Sequence, residues 1–358
     1  MTKKLIPAMV GAALVGGMST AAADVQIFGH IDQSVNWWEI SPNDGSPSED
    51  DTNFICTTCS IGFKGSEDLG NGLKAIFSLD WQYDINVRND GDGTSLEGLT
   101  LDNNNSGLLD RDQWVGLAGG FGKIRVGTIS TGYKSHGAMI DPLYRTALQG
   151  RDRGLQSRYH SGAGEELEGR ATNTLRYDSP DFNGLQVVAH YTLDQHETTP
   201  DLEDNNPFGI GASYSNGGIY AFADYITNDR GGSDDAWKVG GKFSMDAFSV
   251  VAQYESDGGL ISSKGVFAPA QNTVEDADVW MIGGSYSMGN NLVYAAYGQG
   301  DDANTVGVDE GYDAWEIVGV HNLSKRTLAY LGYVNIDEDD PNVGVEVDWF
   351  TLGLKHKF

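Results

Sequence analysis

The chain has 358 residues, 39% of them hydrophobic, and a mean hydropathy of -0.35. Beyond the N-terminus no stretch approaches ~18 consecutive apolar residues, which excludes a bundle of membrane helices but not a barrel, whose strands show only half their residues to lipid. The formal net charge of -28 argues against a nucleic-acid partner, since phosphate binding calls for a basic face.

Residues 1–23 read as a secretory signal peptide. Lys3 and Lys4 form the positive n-region, Leu5 to Met18 is a short apolar stretch, and Ala21-Ala22-Ala23 offers small residues before a cleavage point. Losing Lys3 and Lys4 with the leader takes the net charge from -28 to -30.

From residue 24 onward the chain alternates. Val25 to Val35 is the first such run, followed by Trp37 and Trp38 and a polar loop to about Asn53. Cys56 and Cys59 follow as Cys-Thr-Thr-Cys. One CxxC has too few ligands for a structural zinc site and lacks the βαβ setting of a thioredoxin-like motif, so an exported chain points to a local disulfide. Strand residues three apart point to opposite faces, so such a bridge requires a turn or bulge. After a tight turn near Gly72, Leu73, Ala75, Phe77, Leu79, Trp81 and Tyr83 share one face and Lys74, Ser78, Asp80 and Gln82 the other, with Ile76 the apolar exception.

Two short runs, 112–118 and 123–128, precede a long insert at about 129–170 that has no period of two. An insert of that length between regular hairpins is uncommon and usually functional or disordered; a loop folded back into a barrel lumen fits it. Strand-like runs then recur to residue 358, with connections alternately short and long, giving about 16 strands, an even number. Aromatics near strand ends, among them Trp37, Trp81, Tyr254, Trp280, Trp315, Tyr333 and Phe350, suit interfacial girdles. The expected fold is therefore all-β, a 16-stranded antiparallel transmembrane β-barrel over 24–358, closed by a last strand ending on Phe358.

Alternation assigns the wall. Ile61 and Phe63 face out, so Lys64 faces in; Ile124 and Val126 face out, so Lys123 and Arg125 face in; Leu175 and Tyr177 face out, so Arg176 faces in. A charge on the lipid face near the midplane would cost about 2–4 kcal/mol, which supports these assignments. The insert supplies Asp141, Arg145, Glu165 and Glu166, of which Asp141 and Arg145 are expected to face the pore.

In sequence order, Ile27-Phe-Gly-His-Ile-Asp32, the run Ile61 to Ala75, the run Trp114 to Gly127, Asn173 to Gly184 and the terminal Phe358 together resemble a Gram-negative general porin across the mature chain. The resemblance implies a homotrimer in the outer membrane; the acid clusters Glu49 to Asp51 and Asp337 to Asp340 read first as solvated loop tips and second as a bridge to lipopolysaccharide phosphates through divalent ions. The resemblance also implies a third external loop that narrows the pore, and assembly machinery that reads the final strand. His30 stands where the family often has a longer basic or aromatic side chain, and would give the wall a pH-dependent charge. His356 and the pair Cys56 and Cys59 also depart from the usual pattern.

The function expected is passive diffusion of small hydrophilic solutes and ions, with weak cation preference from the acidic charge. A substrate-specific channel for phosphate, sugars or organic acids is the alternative. No histidine stands in a recognisable nucleophile context, so no enzyme is expected. No cofactor or metal is expected either, since acid clusters such as Glu49 to Asp51 lack an EF-hand pattern.

Overall fold

A computed structural model describes residues 24–86, 108–156, 169–193, 208–228, 234–257, 277–301, 311–339 and 344–358. Its strands are β1 (Asp24–Pro42), β2 (Glu49–Cys56), β3 (Ser60–Gly70), β4 (Leu73–Gln82), β5 (Leu109–Gly119), β6 (Gly122–Ser130), β7 (Arg170–Asp178), β8 (Leu185–Thr192) and β9 (Phe208–Asn216). They continue as β10 (Ile219–Asn228), β11 (Asp234–Met245), β12 (Phe248–Asp257), β13 (Ala277–Met288), β14 (Asn291–Asp301), β15 (Gly311–Asn322), β16 (Thr327–Glu338) and β17 (Val345–Lys357).

Apart from β2 and β3, which do not pair with each other, consecutive strands pair antiparallel, and β17 returns to pair with β1 from His30↔Lys357 to Pro42↔Val345. That pairing closes the sheet, so no edge is left with unpaired N–H and C=O groups. Strands β2 and β3 both pair with β1, one along each half, and form a single interrupted stave. Counted so, the barrel has the expected 16 strands.

The interruption is a bulge. Gln33 pairs with Cys56 and His30 with Ser60, so Thr57, Thr58 and Cys59 oppose only Ile31 and Asp32. Cys56 and Cys59 are joined as a disulfide across this turn, with Cα atoms 5.7 Å apart. At the short-turn end, Asn71 (φ 52°) and Gly72 (φ 77°) supply the left-handed backbone that matches strand twist in a two-residue hairpin.

Burial is inverted relative to a soluble sandwich. Val115 is 56% exposed and Ile282 50%, while Asp32 is 0% and Arg176 6%. An apolar outside around a polar inside is stable only where the outside meets lipid. Rings of neighbouring strands pack along one level of the outer surface, with centroids 5.4 Å apart for Trp37–Phe350, 5.4 Å for Trp237–Tyr254, 5.7 Å for Trp280–Tyr297 and 5.2 Å for Trp315–Tyr333. The Tyr254, Tyr297 and Tyr333 hydroxyls donate to Asp278, Asp313 and Asp348, each on the next strand, as an amphipathic belt requires.

Residues 131–156 pack against side chains of the wall strands. A short helix, α1 (Gly132–Ala138), opens the segment, with the Thr131 hydroxyl accepting from Lys134 N at 3.3 Å. This helix was not legible in the period-two pattern. Ile140, Leu143, Leu148 and Leu155 form an apolar cluster with inward-facing Phe222, Val251, Met281, Tyr294, Val318 and Tyr330. The β10–β17 half of the lumen is thus apolar enough to hold the segment by burial, at about 1.5–3 kcal/mol for each large side chain.

Candidate pore constriction

Polar ties fix the segment to the same half of the wall. His136 Nδ1 lies 2.8 Å from Asp224 Oδ1, Gln156 Nε2 donates to Gln253 Oε1 at 3.1 Å, and Tyr312 OH donates to the Gly154 carbonyl at 2.9 Å. Arg153 stacks 3.9 Å over the Trp349 ring and its Nε donates to the Ala147 carbonyl at 2.8 Å. Lys355 Nζ donates to the Tyr144 and Arg145 carbonyls, both at 2.8 Å.

On the opposite side, between the segment and strands β1 and β4–β7, a cavity of about 320 Å³ remains open. Arg125 and Arg176 reach it from the wall, Arg145 and Tyr144 from the segment, and Asp80, Asp112 and Trp114 complete its charged and aromatic lining. Arg125 and Arg176 share the Asp178 carboxylate, which Arg176 Nη2 reaches at 2.7 Å, and the Arg176 Nη1 also donates to the Ser130 carbonyl. Arg125 lies 5.0 Å over the Trp114 ring. Arg145 stands in a left-handed backbone conformation (φ 62°), with its guanidinium 3.9 Å from Asp80. The two acids are held by other guanidiniums, Asp80 by Arg111 at 3.2 Å and Asp112 by Arg170 at 3.5 Å. The wall therefore brings two acids and two arginines to the opening, and the segment brings a third arginine.

Of the residues assigned from sequence, Arg125, Arg176 and Arg145 meet at the cavity. Lys64 sits beside it, its Nζ 5.0 Å over the Phe28 ring that lines the cavity. Lys123 is exposed next to the 120–121 turn, away from the lining. His30 is 3% exposed and spent on the bulge, its Nε2 3.2 Å from Thr58 Oγ1 and its Nδ1 3.4 Å from Ser60 Oγ.

Asp141 faces its own loop. Its carboxylate accepts from Leu143 N at 2.7 Å and Gly150 N at 3.0 Å, and burial pushes its pKa up to about 6. Glu165, Glu166 and residues 1–23, the expected leader, lie outside the described residues. Arg111, Asp112 and Tyr144 were missed as lining or supporting groups; Asp80 already stood on the inward face of its strand, which was the available signal.

A family model for the Gram-negative porin matches residues 8–341. The chain is 28% identical to the major outer membrane protein P.IB of Neisseria sicca over the full length of both, and 26% identical to that of Neisseria gonorrhoeae over 92% of each. Among solved structures it is similar to the anion-selective porin from Comamonas acidovorans, with TM-score 0.70, 21% identity, and 94% and 100% of the two chains covered. It is also similar to Salmonella typhi OmpF, solved in complex with daunomycin, with TM-score 0.69, 17% identity, and 93% and 97% covered. With a closed 16-stranded barrel and a family match over nearly its whole length, the chain belongs to the Gram-negative porin family and forms an outer-membrane channel.

Proposed function

We propose that the 320 Å³ opening is the eyelet of a general diffusion pore for small hydrophilic solutes and ions, with a selectivity that depends on salt. The observation that carries this is the meeting of Arg125, Arg145 and Arg176 with Asp80 and Asp112 around one opening. A narrow, oppositely charged zone orders water and sorts solutes by size and charge. The chain's -28 formal charge lies largely outside that zone and steers cations toward the mouth. Steering reaches about 30 Å at 0.01 M salt and about 3 Å at 1 M. Weak cation preference at low salt should therefore fade at high salt, where the eyelet's arginines decide and anions gain.

Reversal potentials across salt gradients, taken at low and high mean salt, test this reading. Strong anion selectivity at low salt would overturn it. Conductance that saturates with phosphate, a sugar or an organic acid would favour a substrate-specific channel instead.

The same reading includes a homotrimer. Gln33 faces outward on β1, four residues below Trp37 of the aromatic belt, and its Nε2 donates to Asn86 Oδ1 at 2.9 Å. An amide pair at that depth would lie in hydrocarbon, where a polar group without water costs about 1–3 kcal/mol, and a neighbouring subunit would cover it. Light scattering in mild detergent should give three chains per particle. Lipopolysaccharide contact, bridged in part by divalent cations at the acidic loops, and reading of the Phe358 strand by the barrel-assembly machinery belong to the same proposal.

A further inference from the structure

The disulfide-closed bulge sits at the start of a chain of contacts that ends at the eyelet. Asp32 N donates to Cys59 Sγ at 3.3 Å, and Thr57 N donates to the Asp32 carbonyl at 3.0 Å, so the bulge grips Asp32 from both sides of its backbone. Thr58 is held at φ 50°, a conformation a threonine rarely adopts, and its hydroxyl meets His30. Tyr83 N donates to the Cys59 carbonyl at 3.0 Å, which ties the turn to the next stave.

Beyond the bulge, the fully buried Asp32 carboxylate accepts from Tyr330 OH at 2.8 Å, and that hydroxyl accepts from Ala147 N at 3.2 Å. Asp32 is also the register partner of Lys355, whose ammonium holds the Tyr144 and Arg145 carbonyls. Both routes from Asp32 therefore reach residues 144–147 of the lumenal segment. Arg145 presents its guanidinium to the cavity from within that stretch.

We propose that the Cys56–Cys59 bridge is a positioning device for the pore: by locking the bulge it fixes Asp32, and through Tyr330 and Lys355 it sets where Arg145 stands in the eyelet. The inference rests on the channel reading above. The physical ground is that three residues opposing two in a stave have many backbone solutions, and the bridge leaves few of them. A bulge free to repack would let Asp32 slide against its partners, and a side chain at the narrowest zone changes ion flow when it moves by about 1 Å.

The test uses the assembled protein in a planar bilayer, so that folding is already complete. Single-channel conductance and reversal potential are recorded before and after a water-soluble phosphine. The S–S bond breaks as the phosphine gives two electrons to the two sulfurs, water supplies the phosphine oxide's oxygen and the two thiol protons, and maleimide mass shifts confirm both thiols. Reduction should change conductance by about 1.5-fold and move the reversal potential. The Cys56→Ser, Cys59→Ser double variant should start at the reduced values and ignore the phosphine. In an Arg145→Ala channel, reduction should leave the reversal potential where it was.

A bridge that only stabilises the barrel would lower its melting temperature on reduction without moving the reversal potential. That outcome, or unchanged conductance in a channel shown to be reduced, overturns the proposal. Absence of conductance steps in the untreated protein would overturn the channel reading itself.

Discussion

Tyr330 on β16 reaches over β17 to hydrogen-bond Asp32 on β1, and Gly353 makes the crossing possible. A Cβ at position 353 would lie 2.1 Å from the Tyr330 ring, so only glycine leaves that ring room to lie across the strand. The hydroxyl thereby serves two partners, the Asp32 carboxylate and the Ala147 amide, and joins the barrel seam to the lumenal segment.

Replacing Tyr330 with Phe keeps the ring and removes both bonds. A buried carboxylate losing a donor costs about 1–3 kcal/mol. Heat- or urea-induced unfolding in detergent should show that loss, and Gly353→Val should cost more, because the ring itself must move.

Asp178 neutralises two guanidiniums at once, Arg125 and Arg176. Asp178→Asn should leave both charges uncompensated and raise the anion-to-cation permeability ratio by about two- to fivefold at high salt. Arg125→Ala should move it the other way. Reversal potentials in a fixed salt gradient read both, and opposite signs are the required result.

Asp141 gives the lumenal segment a pH dependence. Its pKa, raised to about 6 by burial, means that the closed loop holds the proton more tightly than an open one does. Its contribution to closure is thus fully present below about pH 4 and is lost as pH rises through 6. Arg151 and Lys355 oppose the shift, and Glu316 on β15 is the other nearby acid. Current noise from loop motion should accordingly fall between pH 7 and pH 5. Asp141→Asn should flatten that dependence.

Phe358 closes the seam. Its backbone exchanges hydrogen bonds with Gly29, N to O at 3.1 Å and O from N at 3.3 Å, and its ring lies over that glycine. Deleting Phe358 removes the last rung between β17 and β1. Export to the periplasm should persist while insertion falls, which cell fractionation measures; normal outer-membrane levels of the truncated chain would refute this.

The staves were legible in the sequence because a barrel wall has period two, and lipid penalises any charge that faces it. That rule placed Arg125 and Arg176 inward, and Ile124, Val126, Leu175 and Tyr177 outward, from alternation alone. The same period carried a signal that was not used. Phe222, Val251, Met281, Tyr294 and Val318 are apolar residues on the inward face of β10–β15, and they mark the half of the lumen that a buried segment must cover.

What the alternation could not decide was the inside of the pore. Asp141 and Arg145 are four residues apart in one loop, yet one carboxylate turns back onto Leu143 N and Gly150 N while one guanidinium faces the opening. A loop has no repeating period to fix where a side chain points. Its conformation is set by partners far along the chain, Tyr330, Lys355 and Trp349, which meet residues 144–153 only when the barrel closes. The wall was therefore determined by sequence, through the contrast between lipid and water. The eyelet was decided by tertiary structure, through contacts that exist only in the closed barrel.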